Sequence, residues 1–367
     1  DKAEAEMLSS IIPVILEQND FEETYDNVWD YKLKAGTGIY GVFWDKDKLN
    51  GLGDIDIRTV DLLNLFWEPG IKDIQNSRHL FHVELRSMEE MQELYPQLKE
   101  AKGNLSGAQA VTLAQYAHDD TLDTSDKCTG VDWYYKLNNP DGKTVLHYCK
   151  FCAGHVLYAS QNDPAYAERG YYDHGKYPYV FDALYPIEGS PCGYGYVDLC
   201  RNPQTEIDLL KTAMVKNAMV GATPRYFSRV DGNINEEEFL DLTKPIVHVN
   251  GNVDEATLRR VEHNALDGMY VNLLDRSIDE LRETSGNTEA ATGSTPGSVT
   301  AASGIAALQE AAGKTSSDST QASYRVYSDI VDMCIELIRQ FYDMPRKFRI
   351  LGQYGMERYV TYTNQGI

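Results

Sequence analysis

Residues 283–310 read ETSGNTEAATGSTPGSVTAASGIAALQE. From Thr284 to Gly304, thirteen of 21 residues are Ser, Thr or Gly, Glu289 is the one charged residue, and Pro296-Gly297 forbids continuous helix, so a mobile polar loop is expected. Both flanks carry helical periodicity. Upstream, Leu258, Val261, Leu266, Met269, Leu273, Leu274, Ile278 and Leu281 predict a helix from Asp254 to Thr284, about 45 Å long at 1.5 Å per residue. Downstream, Ile305, Leu308, Tyr324, Tyr327, Ile330, Val331, Cys334, Ile335, Ile338 and Phe341 predict another from Ser303 to Asp343, kinked near Gly313 and Ser316-Ser317. Helices this long exceed what a compact core needs.

Further out, Asn202 as N-cap with Pro203 at the first helical position predicts a helix to Gly221, marked by Ile207, Leu210 and Met214. Thr223 to Gly251 breaks that period with Pro224, Asp231-Gly232 and Pro245. It contains two β-like runs, Arg225 to Val230 and Ile246 to Val249, and reads as a small inserted α/β lobe. The first 185 residues read as an α/β body. A helix is expected over Ala3 to Glu17, strands at Gly36 to Trp44, Ile55 to Phe66 and His79 to Leu85, and a short helix at Met88 to Leu98. After a polar stretch at 100–127 come strands at Val131 to Leu137, Thr144 to Phe151 and His155 to Ala159. Lys347 to Leu351 and Arg358 to Thr363 read as strands returning to this body. Because the first residue is Asp1 rather than Met, a processed or trimmed chain is expected.

The chain has 367 residues, with 34 Lys and Arg against 56 Asp and Glu, a net charge of −22. Such a surface repels phosphate over about 8 Å at physiological salt and disfavours tight sequence-independent DNA binding, although it permits passing contact. No apolar stretch approaches the roughly 20 residues of a spanning helix, and Ile11 to Leu16 is interrupted by Pro13, so no membrane partner is expected. Six scattered cysteines do not make a disulfide scaffold. Cys149 and Cys152, with Cys128, His147 and His155 nearby, could supply zinc ligands. No second CxxC completes the set, and the simpler reading puts the two cysteines on opposite sides of a strand end, so no metal or other cofactor is expected.

Gly36-Thr37-Gly38-Ile39-Tyr40-Gly41 satisfies GxGxxG, but a β-type run follows it where a dinucleotide site needs a helix. Asp231 to Asn235 resembles a calcium loop whose twelfth position is Leu242 instead of Glu. Asp54, Asp56, Asp61 and Glu68 could hide an acid/base pair or form a solvated face. Seven tyrosines between Tyr171 and Tyr196 suit a subunit contact or a local core equally.

The order of elements, an α/β body, a helix, a small lobe, a long helix, a hydroxyl-rich loop, a long kinked helix and return strands, resembles the portal proteins of tailed bacteriophages. Ile57-Arg58-Thr59-Val60-Asp61 to Trp67-Glu68-Pro69-Gly70, His174-Gly175-Lys176-Tyr177-Pro178 and Ile207 to Ala222 with Pro224-Arg225 carry the resemblance. Glu283 to Asn287 and Thr300 to Glu310 are its most specific blocks. It implies an α+β portal-type fold: a wing at 1–200 and 304–367, stem helices at 203–221 and 253–285, a clip at 222–252 and a tunnel loop at 286–303. The family's C-terminal helical crown is missing from a sequence that stops at Ile367.

The resemblance further implies a non-enzymatic homo-oligomer, a ring of about twelve copies at the capsid vertex of the virion, made in the host cytoplasm. Its expected partners are the large terminase, head-to-tail adaptors, major capsid and scaffolding proteins, and double-stranded DNA in the tunnel. DNA-facing residues would be Asn287, Thr288, Glu289, Thr292, Ser294, Thr295, Ser298 and Thr300. Terminase and adaptor docking would fall to Arg225, Asn233, Asn235, Glu236, Glu237 and Glu238, and contacts between stems to Arg259, Arg260, Arg276 and Arg282. Physical chemistry agrees: DNA slides best past a wall without fixed cations, and Thr284 to Gly304 contains no Lys or Arg. The competing readings are an acidic cytoplasmic α/β hydrolase or metal enzyme using the Asp54 to Glu68 carboxylates, and a phage scaffold without DNA contact.

Overall fold

The computed structural model describes residues 2–99, 127–139, 142–222, 226–228, 235–241, 248, 258–260, 267–286, 302–351 and 357–364. The chain divides into two compact units, residues 1–198 with 313–367, and residues 199–312. Helices and antiparallel sheets occupy separate stretches, which makes the fold α+β.

In the first unit, α1 (Lys2–Gln18) and α2 (Phe21–Ala35) precede the strands. Leu8, Ile11, Ile12, Ile15 and Leu16 of α1 repeat at three and four residues and are buried, and Pro13 sits on the helix without ending it. Gly36 stops α2 in the left-handed region at φ 85°, its N–H bonding Lys32 O at 3.0 Å. A Cβ there would fall 2.3 Å from the Tyr194 backbone. The GxGxxG glycines thus serve a helix stop and close packing, and Thr37–Asp45 continues as strand β1.

A three-stranded sheet runs β2 (Asp54–Thr59), β1, β8 (Tyr179–Ala183), and a short helical turn α3 (Lys48–Gly51) joins β1 to β2. A five-stranded sheet runs β3 (Leu65–Trp67), β4 (His79–Ser87), β5 (Lys127–Asn138), β6 (Thr144–Cys152), β7 (His155–Ala159). The expected strand Ile55 to Phe66 is therefore two strands in different sheets. Asp61 breaks it, because its carboxylate accepts from Leu63 N at 3.0 Å and turns the chain into a 3-10 segment. Helix α4 (Met88–Leu94) follows β4, and the short hairpin β9 (Tyr185–Pro186) with β10 (Gly193–Tyr194) closes the sheet region.

Helix α8 (Ala302–Phe341) spans Gly313 and Ser316-Ser317 as one helical segment. Its Ile330, Met333, Cys334, Leu337 and Ile338 join α1 and both sheets in one core. Strands β13 (Arg346–Leu351) and β14 (Glu357–Tyr362) return to this body: Arg346 donates from Nη1 to Gly53 O at 2.8 Å and from Nη2 to Leu52 O at 3.0 Å.

In the second unit, helix α5 (Tyr196–Ala222) starts more than a turn before the expected Asn202 cap, with Pro203 inside it. Asp198 explains the early start: its Oδ2 accepts from Gly195 N at 3.1 Å, satisfying a donor at the helix entrance. The expected helix from Asp254 is shorter: α7 covers Met269–Thr284, about 24 Å, while Leu258–Arg260 is strand β12. Gly268 stands at the N-cap of α7, and β12 pairs antiparallel with β11 (Tyr226–Ser228).

Candidate functional site

The eight DNA-facing positions, Asn287, Thr288, Glu289, Thr292, Ser294, Thr295, Ser298 and Thr300, lie outside the described residues, as do Arg225 and Asn233. Asn235 caps the short helix α6 (Glu236–Leu240), its side chain accepting from Glu238 N at 3.3 Å. Glu237 lies in α6 beside Glu236, whereas Glu238 Oε2 accepts from both the backbone N and Nδ1 of His248 at 2.9 Å. Glu237 is exposed.

Arg259 and Arg260 belong to β12, in register with Phe227 and Tyr226. They were expected on one helix with Arg276 and Arg282; the strand separates them from those two, which stay on α7. Arg276 is exposed, and Arg282 Nη1 lies 3.6 Å from Asp279 Oδ1 one turn earlier. Several apolar side chains of the helices are exposed: on α5 Leu209, Val215 and Met219 are 67, 58 and 63% exposed while Ile207 is buried. Met269, Val271 and Leu273 of α7 are also exposed.

The carboxylates weighed for catalysis separate into structural roles. Asp54 Oδ1 accepts from Tyr342 Oη at 2.6 Å beside Arg346, whose guanidinium carbon sits 3.9 Å over the Tyr342 ring. Asp56 pairs with Lys48 at 2.8 Å, Asp61 caps its turn, and Glu68 accepts from Arg78 N at 3.4 Å. From Asp56 a chain of charges crosses between the sheets. Arg58 Nη2 is 3.7 Å from Glu84 Oε1, and Arg86 Nη2 is 2.7 Å from Glu84 Oε2. Burial pushes the Glu84 carboxyl up, but His82, Arg58 and Arg86 outweigh it and hold the group below the usual range. Burial likewise opposes Asp132, yet Lys150 at 3.1 Å and the Tyr148 hydroxyl at 2.6 Å hold it low.

Cys149 and Cys152 occupy opposite faces of β6. Cys152 packs with Cys128, Met91 and Leu98, where burial pushes its thiol up to about 12. Among the described residues no group of three or more His, Cys, Asp or Glu could hold a metal ion. Of the tyrosines, Tyr172, Tyr177 and Tyr179 are buried in the main core, the local role; Tyr185 and Tyr194 stack at 5.2 Å on the β9–β10 hairpin.

Two features carry no sequence motif. Lys32, sealed from solvent on α2, lies 2.7 Å from Asp182 Oδ1 of β8, and Ser323 Oγ of α8 bridges them, accepting from Lys32 Nζ and donating to Asp182 Oδ2, each at 2.8 Å. Beside Ser323 opens a cavity of about 670 Å³ between the α1–α2 corner and α8. Nothing in the local pattern links residues 32, 182 and 323.

Ionic groups thus join elements within the body, and α5 and α7 each carry exposed apolar side chains. The family model described as Phage P22-like portal protein matches residues 1–367. The chain belongs to that family of tailed-phage portal proteins. The family is structural, and membership implies an oligomeric ring at the capsid vertex of a phage. No curated protein matches the chain. Among the described residues no helix is long and apolar enough to cross a membrane.

Proposed function

We propose that this portal subunit builds a ring that serves as the conduit for genome packaging and ejection, with the loop 286–303 facing double-stranded DNA. The observation that carries the assembly is the exposure of Leu209, Val215 and Met219 along α5. Each apolar side chain left in water forgoes roughly 1.5–3 kcal/mol of burial, and neighbouring copies supply that burial. The wing is assigned to 1–200 with 304–367, the stem to α5 and α7, and the clip to the lobe around α6. The large terminase docks on the clip during packaging and head-to-tail adaptors replace it. Capsid and scaffolding proteins meet the wing.

The conduit itself rests on the composition of the loop. A segment with no Lys or Arg offers phosphate no fixed counter-ion, and its hydroxyls exchange hydrogen bonds with water and the passing backbone. Electron microscopy of the purified particle tests the reading: a closed ring of about twelve copies with 286–303 lining the bore is expected. A monomer, or a ring with that segment on its outer surface, defeats it.

A further inference from the structure

The cavity beside Ser323 has aromatic rings in its walls and carboxylates on its rim. Phe21 lies 5.9 Å from Tyr327 and 6.5 Å from Tyr25, which stacks on Trp29 at 5.8 Å. Tyr324 and Tyr327 are 70 and 41% exposed. Glu17, Asp20 and Glu22 line the same cavity, and none of them forms an ion pair among the described residues. Ring faces attract cations through their quadrupoles, and adjacent carboxylates add direct charge attraction, so this groove suits guanidinium and ammonium groups carried on an apolar segment.

The same unit presents a surface of that chemistry. Arg346, Lys347 and Arg349 crowd four positions of β13. Arg346 and Phe348 point inward and are buried, which turns Lys347 and Arg349 outward. Across the hairpin Lys347 is in register with Thr361 and Arg349 with Tyr359, the latter 65% exposed, and Met344 just before the strand is 58% exposed. The hairpin cannot reach its own groove: Arg346 ties it to Leu52 and Gly53, and Tyr324 lies 17 residues before Phe341 on α8, about 26 Å along the helix.

Two unlike, complementary patches on one chain make a head-to-tail contact, the kind that closes into rings. Copies carrying −22 each repel one another overall, so a local pairing of opposite charge both offsets that repulsion and fixes the register of neighbours. We propose that the β13–β14 hairpin of one copy docks, through Lys347, Arg349 and Tyr359, into the aromatic and acidic groove at Glu17, Glu22 and Tyr324 of the next. This rests on the ring reading above and gives it a specific contact.

The test uses the full chain, with mass photometry for assembly and circular dichroism for folding. Glu17→Lys with Glu22→Lys, and separately Lys347→Glu with Arg349→Glu, should each lower the ring fraction tenfold or more at about 0.1 M salt. Tyr324→Ser, which leaves charge unchanged, should lower it in the same direction. Combining both charge reversals in one chain should restore rings, because every contact then meets its complement. If the wild type forms rings and either reversal assembles equally well, or the combined reversal fails to recover, the contact is wrong. A wild type that remains monomeric at every concentration would defeat the ring reading itself.

Discussion

Lys32 Nζ lies 2.7 Å from Asp182 Oδ1 with both side chains closed to solvent, and the pair joins α2 to β8 under the Ser323 turn of α8. Breaking a buried pair strands a charge, which costs about 3–5 kcal/mol, whereas replacing both partners by apolar groups is often near neutral. Lys32→Met alone should therefore lower the thermal midpoint strongly, and Lys32→Met with Asp182→Leu should recover most of the loss. Calorimetry on the three chains measures it; equal losses in single and double variants would show that the charges are not coupled.

His174 predicts a pH dependence. Burial, then Lys176, lowers its imidazole to about 4 from an ordinary 6.5, and its Nε2 has no partner. Between those values the unfolded chain takes up a proton that the folded chain refuses, so stability falls as pH drops through 6.5 and levels off below about 4. The contribution is at most about 3 kcal/mol. His174→Asn keeps an acceptor for the Lys176 amide, which now donates to Nδ1 at 2.9 Å. It should flatten the stability profile across that window, as followed by denaturant titration at several pH values.

The uncovered face of α5 predicts a separation of folding from assembly. Leu209→Asp with Met219→Asp should leave the circular dichroism spectrum unchanged and reduce rings at least tenfold in native mass spectrometry. Rings at wild-type abundance would place the subunit contact elsewhere.

Placing cations in the loop should convert sliding into sticking. With Glu289→Lys and Thr292→Lys, rings should form normally while packaging slows or stalls, most severely at low salt, where each phosphate contact is strongest. Packaging at the wild-type rate in low salt would remove the loop from the DNA path.

At the proposed clip, charge reversal at Glu236 and Glu237 should weaken terminase binding about tenfold, measured by surface plasmon resonance. Glu238 is best left intact, because its carboxylate holds His248 through two contacts. Unchanged affinity would assign docking to other residues of the lobe.

Periodicity revealed the helices that bury one stripe: α1 through Leu8, Ile11, Ile12 and Ile15, and the second half of α8 through Ile330 to Ile338. The hairpin strands β5 and β6 showed themselves by their β-branched and aromatic residues on either side of the Pro140-Asp141-Gly142 turn. The start of α5 was misread where a local contact overrode propensity, with Asp198 opening the helix early through Gly195 N. Lys32 was illegible for another reason. Its partners stand about 150 and 290 positions away, and a lysine two residues from Lys34 near a helix end looks like surface. The groove at Phe21 and Tyr324 was hidden in the same way, since only the packing of α8 brings those rings together.

Ile11, Ile39 and Ile55 share their core with Ile338 and Tyr342, while residues 199–312, which separate the two segments in sequence, form a unit of their own. A ribosome releasing about 5–20 residues per second leaves the first half incomplete for on the order of ten seconds before α8 emerges. During that interval the apolar stripe of α1 has no lid. Nascent subunits should accordingly engage chaperones that hold exposed apolar segments, and overproduction should drive them into inclusion bodies before any ring can close.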